Sequence, residues 1–170
     1  MMFITDTCFW MHVRELFTEL GIDLRPLLCK VRWGVTEQVK KEIEARRATS
    51  FFPETEGFLI PVSDDELDAF QKRTPTISQF DEADQTLILV AVRDHGIVLT
   101  DDGAVYIECQ CMGVDVMMLP QLCIGLAKDG QLDKNDVYKM LRSWDENGRF
   151  AKKFIKELKA DLQTIRGVKP

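Results

Sequence analysis

Residues 97–105, with the sequence IVLTDDGAV, decide how the fold is interpreted. Three apolar residues lead into Thr100, Asp101 and Asp102, a pattern typical of a short buried strand that ends on two acids. Parallel sheets bind ligands beyond the carboxyl ends of their strands, so acids at such an end are candidates for chemistry. Aspartate is also favoured in strand-to-helix turns and at helix N-caps for local reasons. Both interpretations of the acidic pair stay open from these residues alone.

Short apolar runs alternate with helical periodicity along the rest of the chain. The apolar runs predict strands over residues 2–5, 27–33, 58–62, 97–100 and 114–118. Helical spacing predicts helices over residues 9–21, 36–47, 63–73, 78–96, 103–113, 119–130, 134–146 and 150–165, with a loop over 50–57. This alternation indicates an α/β fold, a three-layer α/β/α domain with a mainly parallel sheet over residues 1–133. Residues 134–170 are predicted to form a helical C-terminal extension packed on it.

Local signals mark several of the helix ends. Gly21 is predicted to stop the first helix and Thr36 to cap the second. Ser63 precedes Glu66 by three residues, the spacing of a capping box. The long helix over residues 78–96 is predicted to end at Gly96.

The composition is that of a globular protein from a reducing compartment. With 170 residues and 45% apolar content, the chain can bury one sizeable core. No uncharged apolar stretch approaches the ~20 residues of a membrane span, and no basic leader marks a signal peptide. Five cysteines without framework spacing predict reduced thiols and a cytoplasmic location. Cys109 and Cys111 could hold a metal, but no histidine lies near them, which favours structural thiols.

The charge is unevenly distributed. The net charge is −6, yet residues 139–170 carry nine Lys and Arg against four Asp and Glu, a net charge of +5, and the remainder carries −11. This asymmetry is compatible with an acidic centre that holds cations beside a basic flank that meets phosphates. It is equally compatible with an ordinary solvated helix.

Two helical acids lie on the apolar faces of their predicted helices. Apolar residues follow Asp84 at spacings of three, four and seven, so the helix points Asp84 toward the protein body. A buried carboxylate without a partner is costly and needs a cation, a metal or backbone donors. Helix capping by Asp81 and Asp84 is the alternative. Glu42 shares a face with Val39 and Ile43 and either borders the core or lies at its solvated edge.

These acids form an ordered set. Asp6 follows the first strand in FITDT, Glu42 ends the motif VKKE, and Asp84 opens the apolar helix EADQTLILVA, with Glu82 as its competitor. The strand motif VLTDD then brings the acidic pair. This order, on these elements, resembles the PIN-domain nucleases over roughly residues 2–130, including their toxin-type ribonucleases.

The resemblance implies a PIN-like fold and an endoribonuclease that hydrolyses RNA phosphodiester bonds. It implies a site in which Asp6, Glu42, Asp84 and Asp101 act in catalysis and bind metal, with Asp102 competing for the last place. Clustered carboxylates without histidines suit a hard cation, Mg²⁺ or Mn²⁺. The resemblance further implies single-stranded RNA as substrate, an antitoxin partner for toxin members, and homodimers.

Two other functions fit parts of this pattern. A catalytically inactive PIN-like scaffold that binds RNA or protein is the alternative. A phosphatase like the haloacid dehalogenases is less favoured, because that family needs Asp-x-Asp after the first strand and this chain has Asp6-Thr7-Cys8.

Four further residues are candidates for nucleic-acid binding. A hydrogen bond from Thr100 to a carboxylate or a phosphate is the alternative to the structural role that a threonine at a strand end usually has. Lys152, Lys153 and Lys156 flank an apolar stripe on the last helix, where a solvated face is the preferred interpretation and RNA binding the alternative. The histidines, His12 and His95, are given no role.

Overall fold

Five short strands form one sheet in which every pair is parallel. The computed structural model describes residues 2–52 and 57–165. The strands are β1 (Phe3–Thr5), β2 (Trp33–Thr36), β3 (Gly57–Ile60), β4 (Ile97–Leu99) and β5 (Val116–Met117). They pair in the order β3-β2-β1-β4-β5. The predicted α/β class with a parallel sheet is therefore confirmed.

Helices connect these strands and follow the last of them. The described residues form α1 (Thr7–Leu20), α2 (Arg25–Leu28), α3 (Glu37–Ala45), α4 (Asp64–Arg73), α5 (Glu82–Asp94), α6 (Gly103–Cys111), α7 (Leu119–Lys128), α8 (Lys134–Glu146) and α9 (Lys152–Thr164). Short 3-10 segments lie at Thr49–Phe51 and Pro75–Gln79. None of the helices in the described ranges has the length and apolar content needed to cross a bilayer.

Three of the predicted helix ends are confirmed. Gly21 ends α1 in the left-handed conformation, with φ of 68°. Thr36 caps α3 by accepting a hydrogen bond from the backbone N–H of Val39. Ser63 and Glu66 form the reciprocal hydrogen bonds of a capping box at the start of α4.

The strand predicted over residues 27–33 is wrong. Residues Arg25–Leu28 form the short helix α2, and the strand begins only at Trp33 and runs to Thr36. Pro26 stands in the first turn of α2, where its fixed φ favours a helix and its missing N–H costs nothing. The apolar run alone could not distinguish this helix from a strand.

The helix predicted over residues 78–96 is shorter than expected. Its first residues belong to the 3-10 segment, and α5 begins at Glu82 with Asp81 as its N-cap. It ends at Asp94, and His95 takes the left-handed position with φ of 51°. Gly96 serves packing instead, because a Cβ there would lie 2.4 Å from Cδ1 of Ile4.

Two other predictions meet the structure only in part. The strand predicted over residues 114–118 is reduced to Val116–Met117. The loop predicted over residues 50–57 includes residues 53–56, which lie outside the described residues, as do residues 166–170 of the predicted C-terminal extension.

The order of the strands creates a switch point at β1. The chain runs from β1 to β2 and β3 on one side, and then crosses to β4 and β5 on the other. Ligands of open parallel sheets bind beyond the carboxyl ends of the strands at such a reversal. The boundary between β1 and β4 is therefore where a site is expected, and the acids after these strands lie there.

Two buried apolar clusters lie on opposite faces of the sheet, because neighbouring strand residues alternate in direction. Ile4 and Val98 belong to the cluster with α5 and α6. Leu99 and Val35 belong to the other cluster, with α1 and α7. This arrangement is compatible with the predicted three layers. Buried residues of α8 and α9 share the second cluster: Val137, Met140, Leu141, Trp144, Ile155, Leu158 and Leu162.

Candidate functional site

Asp6 is fixed at the switch point by three hydrogen bonds. It follows β1 and caps α1, accepting a 2.7 Å hydrogen bond from the backbone N–H of Phe9 on Oδ1. Its own backbone N–H donates to the carbonyl of Leu99. The hydroxyl of Thr100 donates a short hydrogen bond to Oδ2. The side chain thus joins the ends of β1 and β4, and Thr100 has a carboxylate partner.

Asp6 is only 3% exposed and lacks a cationic partner among the described residues. Burial raises its pKa to about 8, although the hydrogen bonds from Thr100 and Phe9 act in the opposite direction. The negative charges of Asp101 and Asp84 raise this pKa further. The charge of Asp6 is therefore poorly compensated by the chain itself.

Glu42 is attached to the start of α1. Thr7 Oγ1 donates a 2.7 Å hydrogen bond to Glu42 Oε2, and the glutamate is half-buried. Val39 and Ile43, predicted on the same face, are each 1% exposed. The apolar face of α3 thus sets Glu42 at the edge of the core, beside the residue that follows Asp6.

Asp84 is half-buried in the first turn of α5. Leu87, Ile88 and Ala91 are at most 1% exposed, which confirms the predicted apolar face. Burial raises the pKa of Asp84 to about 7, and the charges of Asp81, Asp102 and Glu42 add to this effect.

Glu82 occupies a different environment from Asp84. It is exposed and accepts a 2.9 Å hydrogen bond from Gln38 Nε2. Asp81 is the N-cap of α5 and accepts a hydrogen bond from the backbone N–H of Asp84. Asp84 rather than Glu82 therefore faces the other acids.

Asp101 turns into the protein. Its side chain is 0% exposed, and Oδ2 lies 2.5 Å from Nδ1 of His12. Oδ1 accepts a 2.8 Å hydrogen bond from the backbone N–H of Leu119. Both oxygens are therefore engaged in holding β4 against α1 and α7.

Asp102 has a partly free carboxylate. It caps α6, with Oδ1 accepting hydrogen bonds from the backbone N–H groups of Ala104 and Val105 at 2.7 and 3.1 Å. Its own N–H donates to Thr100 Oγ1 at 3.0 Å, so Thr100 connects it to Asp6. No group in the described ranges bonds Oδ2. Asp102 is thus both a helix cap and the more accessible member of the pair.

Sequence reasoning missed His12 as a structural partner of this edge. The histidine and Asp101 are 89 residues apart, and no local pattern links them. His12 also packs edge-on against Phe150, with ring centroids 6.3 Å apart. This contact joins the turn between α8 and α9 to the strand end. Thr7 was likewise not identified as a partner of Glu42.

The acids approach one another without forming a preformed cage. Within residues 2–52 and 57–165, no three Asp, Glu, His or Cys side chains lie close enough together to ligate one ion directly. Mg²⁺ commonly keeps several waters and binds through only one or two carboxylates. An all-oxygen donor set with uncompensated charge fits such a hydrated cation.

The cysteines near the acids are poor nucleophiles. Burial raises the pKa of Cys8 to about 12, and the charges of Asp6 and Asp102 raise it further. Burial and Glu108 also raise the pKa of Cys109 to about 12, and Cys111 is exposed. Thiol chemistry at neutral pH is therefore disfavoured at Cys8 and Cys109.

The candidate lysines lie on the first turns of α9. Lys152, Lys153 and Lys156 are exposed, and no described hydrogen bond or ion pair brings them to the carboxylates. Ile155 and Leu158 of the same helix are buried, as the apolar stripe predicts. The lysines therefore form a solvated face.

Neither a comparison with protein-family models nor one with curated proteins yields a match for this chain. The resemblance to the PIN-domain nucleases therefore stays a prediction from the order of the motifs in the sequence.

Proposed function

We propose that this protein is a Mg²⁺- or Mn²⁺-dependent endoribonuclease of the PIN-domain type, with its site at the carboxyl ends of β1 and β4. The observation that carries the proposal is the acidic group Asp6, Glu42, Asp84 and Asp102. Burial raises the pKa of Asp6 and of Asp84, and neighbouring acids add to it: Asp101 and Asp84 act on Asp6, and Asp81, Asp102 and Glu42 act on Asp84. Among the described residues, none of the four forms an ion pair with Lys or Arg. A bound cation would supply the missing charge.

Burial and hydrogen bonding together assign a role to each carboxylate. Asp84 and Asp102 are half-exposed and would ligate the ion directly. Glu42 and Asp6 are fixed by Thr7 and Thr100 and would hold its water molecules. As direct ligand, Asp102 replaces Asp101, the first choice from the sequence, because among the described residues Oδ2 of Asp102 is free whereas both oxygens of Asp101 are bonded.

A bound Mg²⁺ or Mn²⁺ supplies three effects: it orients the phosphodiester, lowers the pKa of water and neutralises charge at phosphorus. The chain's contribution is positioning. Thr100 holds Asp6 and Asp102 in register by donating to one and accepting from the other. The helix caps made by Asp6 and Asp102 fix both carboxylates before any ligand binds.

The charge distribution and the family resemblance support single-stranded RNA as the substrate. We call the carboxyl edge of the sheet that carries Asp6, Glu42, Asp84, Asp101 and Asp102 the acidic edge. The basic C-terminal region contacts it, because Phe150 packs on His12 and His12 bonds Asp101. Lys152 and Lys153 follow this turn and are exposed. They could therefore contact the phosphates of a strand that enters the site. The free thiols fit a cytoplasmic location.

Cleavage of a labelled single-stranded RNA, with Mn²⁺ and with EDTA, tests this function. Wild type is expected to cleave only with the metal, and Asp6→Asn is expected to be inactive while its circular dichroism spectrum is unchanged. Undiminished activity of Asp6→Asn would contradict the assignment, as would equal cleavage in EDTA.

One observation favours the scaffold function as a second candidate. Both oxygens of Asp6, which is 3% exposed, already accept hydrogen bonds from Phe9 and Thr100 within the protein. A scaffold of this fold would bind RNA without cleaving it. Its melting temperature would be insensitive to Mn²⁺, whereas a metal site raises the melting temperature.

A further inference from the structure

Arg46 is the C-cap residue of α3, one helical turn beyond Glu42. Its backbone N–H donates to the carbonyl of Glu42 at 2.9 Å. Residues four apart on a helix share a face, and each side chain tilts toward the helix N-terminus. The exposed side chain of Arg46 therefore leans back toward Glu42 and the carboxyl edge of the sheet.

Two hydrogen bonds hold this end of α3 against α1. Thr7 donates to Glu42, and Arg14 Nη1 donates to the backbone carbonyl of Arg46 at 2.9 Å. Both contacts join the same pair of helices, on the face that carries Glu42. The backbone of Arg46 is thus fixed beside α1 while its guanidinium stays outside the contact.

The guanidinium of Arg46 lacks the partner that its spacing offers. A glutamate four residues before an arginine is the favourable arrangement for a helical ion pair. Glu42 instead accepts the hydroxyl of Thr7. In the described ranges, no hydrogen bond or ion pair engages the Arg46 side chain. An arginine on the same helical face as Glu42 therefore remains available to a ligand.

Cys8 lies in the first turn of α1, where Arg46 and the acids all act on its thiol. The charges of Asp6, Asp102 and Asp84 act on its thiol in one direction, and Arg46 acts in the other. Arg46 is thus a cation on the side of α3 that packs against α1, where Thr7 bonds Glu42. An acidic site repels the phosphates of its own substrate, and a cation at its rim offsets that repulsion.

We propose that Arg46, at the contact between α1 and α3, binds a phosphate of the RNA strand adjacent to the phosphate that is cleaved. A guanidinium can make two parallel hydrogen bonds to phosphate oxygens, which fixes the orientation of the strand as well as its affinity. The inference rests on the proposed nuclease function and adds a positioning residue to it.

The binding test compares Arg46→Gln with Lys40→Gln in the Asp6→Asn background. Lys40 is exposed on the same helix, two residues from Glu42 and so on its far side, and its loss removes the same charge. Binding of a fluorescent single-stranded RNA is titrated over a range of NaCl concentrations in Mg²⁺. Arg46→Gln is expected to weaken binding and to flatten the slope of log Kd against log salt by about 0.7. Lys40→Gln should leave the slope unchanged.

The cleavage test uses the same substitutions in the otherwise wild-type protein. Arg46→Gln is expected to lower kcat/KM about tenfold, mainly through KM, because one charged hydrogen-bonding contact is lost. Arg46→Lys should keep the salt slope but recover kcat/KM only in part. Melting temperatures should match wild type, because the side chain has no described partner.

The outcomes separate this inference from the nuclease proposal. If wild type cleaves RNA and Arg46→Gln equals Lys40→Gln in slope and in kcat/KM, the phosphate contact is refuted and the nuclease stands. If Arg46→Gln alone flattens the slope but wild type never cleaves, the phosphate contact is supported and the nuclease is refuted.

Discussion

Two groups of carboxylates in this protein differ in what neutralises them. Around Arg93, the chain supplies the counter-charge: Glu66 and Asp94 lie 3.1 and 2.8 Å from its guanidinium. Hydrogen bonds from Ser63 and Arg93 lower the pKa of Glu66, and Arg93 lowers that of Asp94. At the carboxyl edge of the sheet, the pKa values of Asp6 and Asp84 are raised instead.

The difference shows that acids alone do not mark a site. Glu66 and Asp94 belong to an exposed ion-pair network that the chain completes for itself. The acids at the carboxyl edge meet other acids, and hydrogen bonds fix them without neutralising them. Such an arrangement opposes folding unless a cation arrives from solution, which is why we place the metal there.

The largest expected effect separates the two groups by activity. Asp84→Asn and Asp102→Asn should each lower Mn²⁺-dependent RNA cleavage by ~100-fold or more, because an ion that supplies several kcal/mol to the transition state is lost. Asp94→Asn removes the same charge beside Arg93 and should leave kcat/KM unchanged. Steady-state cleavage of one labelled RNA by all three variants makes the comparison. Equal losses in all three would show that overall charge, and not the site, matters.

The next effect separates the two adjacent aspartates. His12→Ala leaves the fully enclosed carboxylate of Asp101 without its side-chain partner and should lower the free energy of unfolding by about 3 kcal/mol. Asp102→Asn should change stability little, since asparagine caps helices as well as aspartate does. Urea denaturation measures both variants. If the His12→Ala variant is as stable as wild type but its Tm no longer rises with Mn²⁺, Asp101 rather than Asp102 would be the direct metal ligand.

Mn²⁺ should raise the melting temperature of the protein by binding at the acidic edge and not at the carboxylates around Arg93. At a Mn²⁺ concentration a hundred times Kd, binding contributes about 2.7 kcal/mol, which raises Tm by roughly 5–10 °C for a chain of this size. Asp84→Asn should lose this shift and Asp94→Asn should keep it. Differential scanning calorimetry with Mn²⁺ and with EDTA measures the Tm of both variants. A Tm shift that survives in Asp84→Asn would place the metal elsewhere.

Lowering the pH from about 8 to about 6 should raise the free energy of unfolding of the metal-free protein. The pKa of Asp6 rises from 3.8 to about 8 on folding, so the folded state binds the proton more tightly. Its contribution is complete below pH ~4 and is lost as the pH rises to about 8, at no more than about 1.4 kcal/mol per pH unit. Thermal melts in EDTA should give a higher Tm at pH ~6 than at pH ~8. Asp6→Asn should flatten this difference, and a steeper decline in Asp6→Asn would contradict the assignment.

Much of the fold was readable from the sequence, because it depends on local signals. Gly21, Thr36 and the Ser63–Glu66 pair act through bonds within one turn, and each was placed correctly. The failures arose where one pattern fits two structures. The apolar run after Pro26 suits a strand or a helix, and only the position of the proline in a first helical turn favours the helix.

The site was less readable, because its decisive contacts are distant in sequence. The order of the acids could be taken from the chain, and so could the inward direction of Asp84. The sequence could not show which of Asp101 and Asp102 faces solvent. That depends on His12 and Leu119, which belong to other elements. Adjacent residues diverge in direction, and the tertiary partners decide which one turns inward.

The central claim is that the acidic edge binds a divalent cation. A crystal structure grown with Mn²⁺, with an anomalous difference map, tests it most directly. We predict a peak beyond the ends of β1 and β4, coordinated by Asp84 or Asp102, with Asp101 still bonded to His12. A map with Mn²⁺ elsewhere and none at this edge would contradict the account.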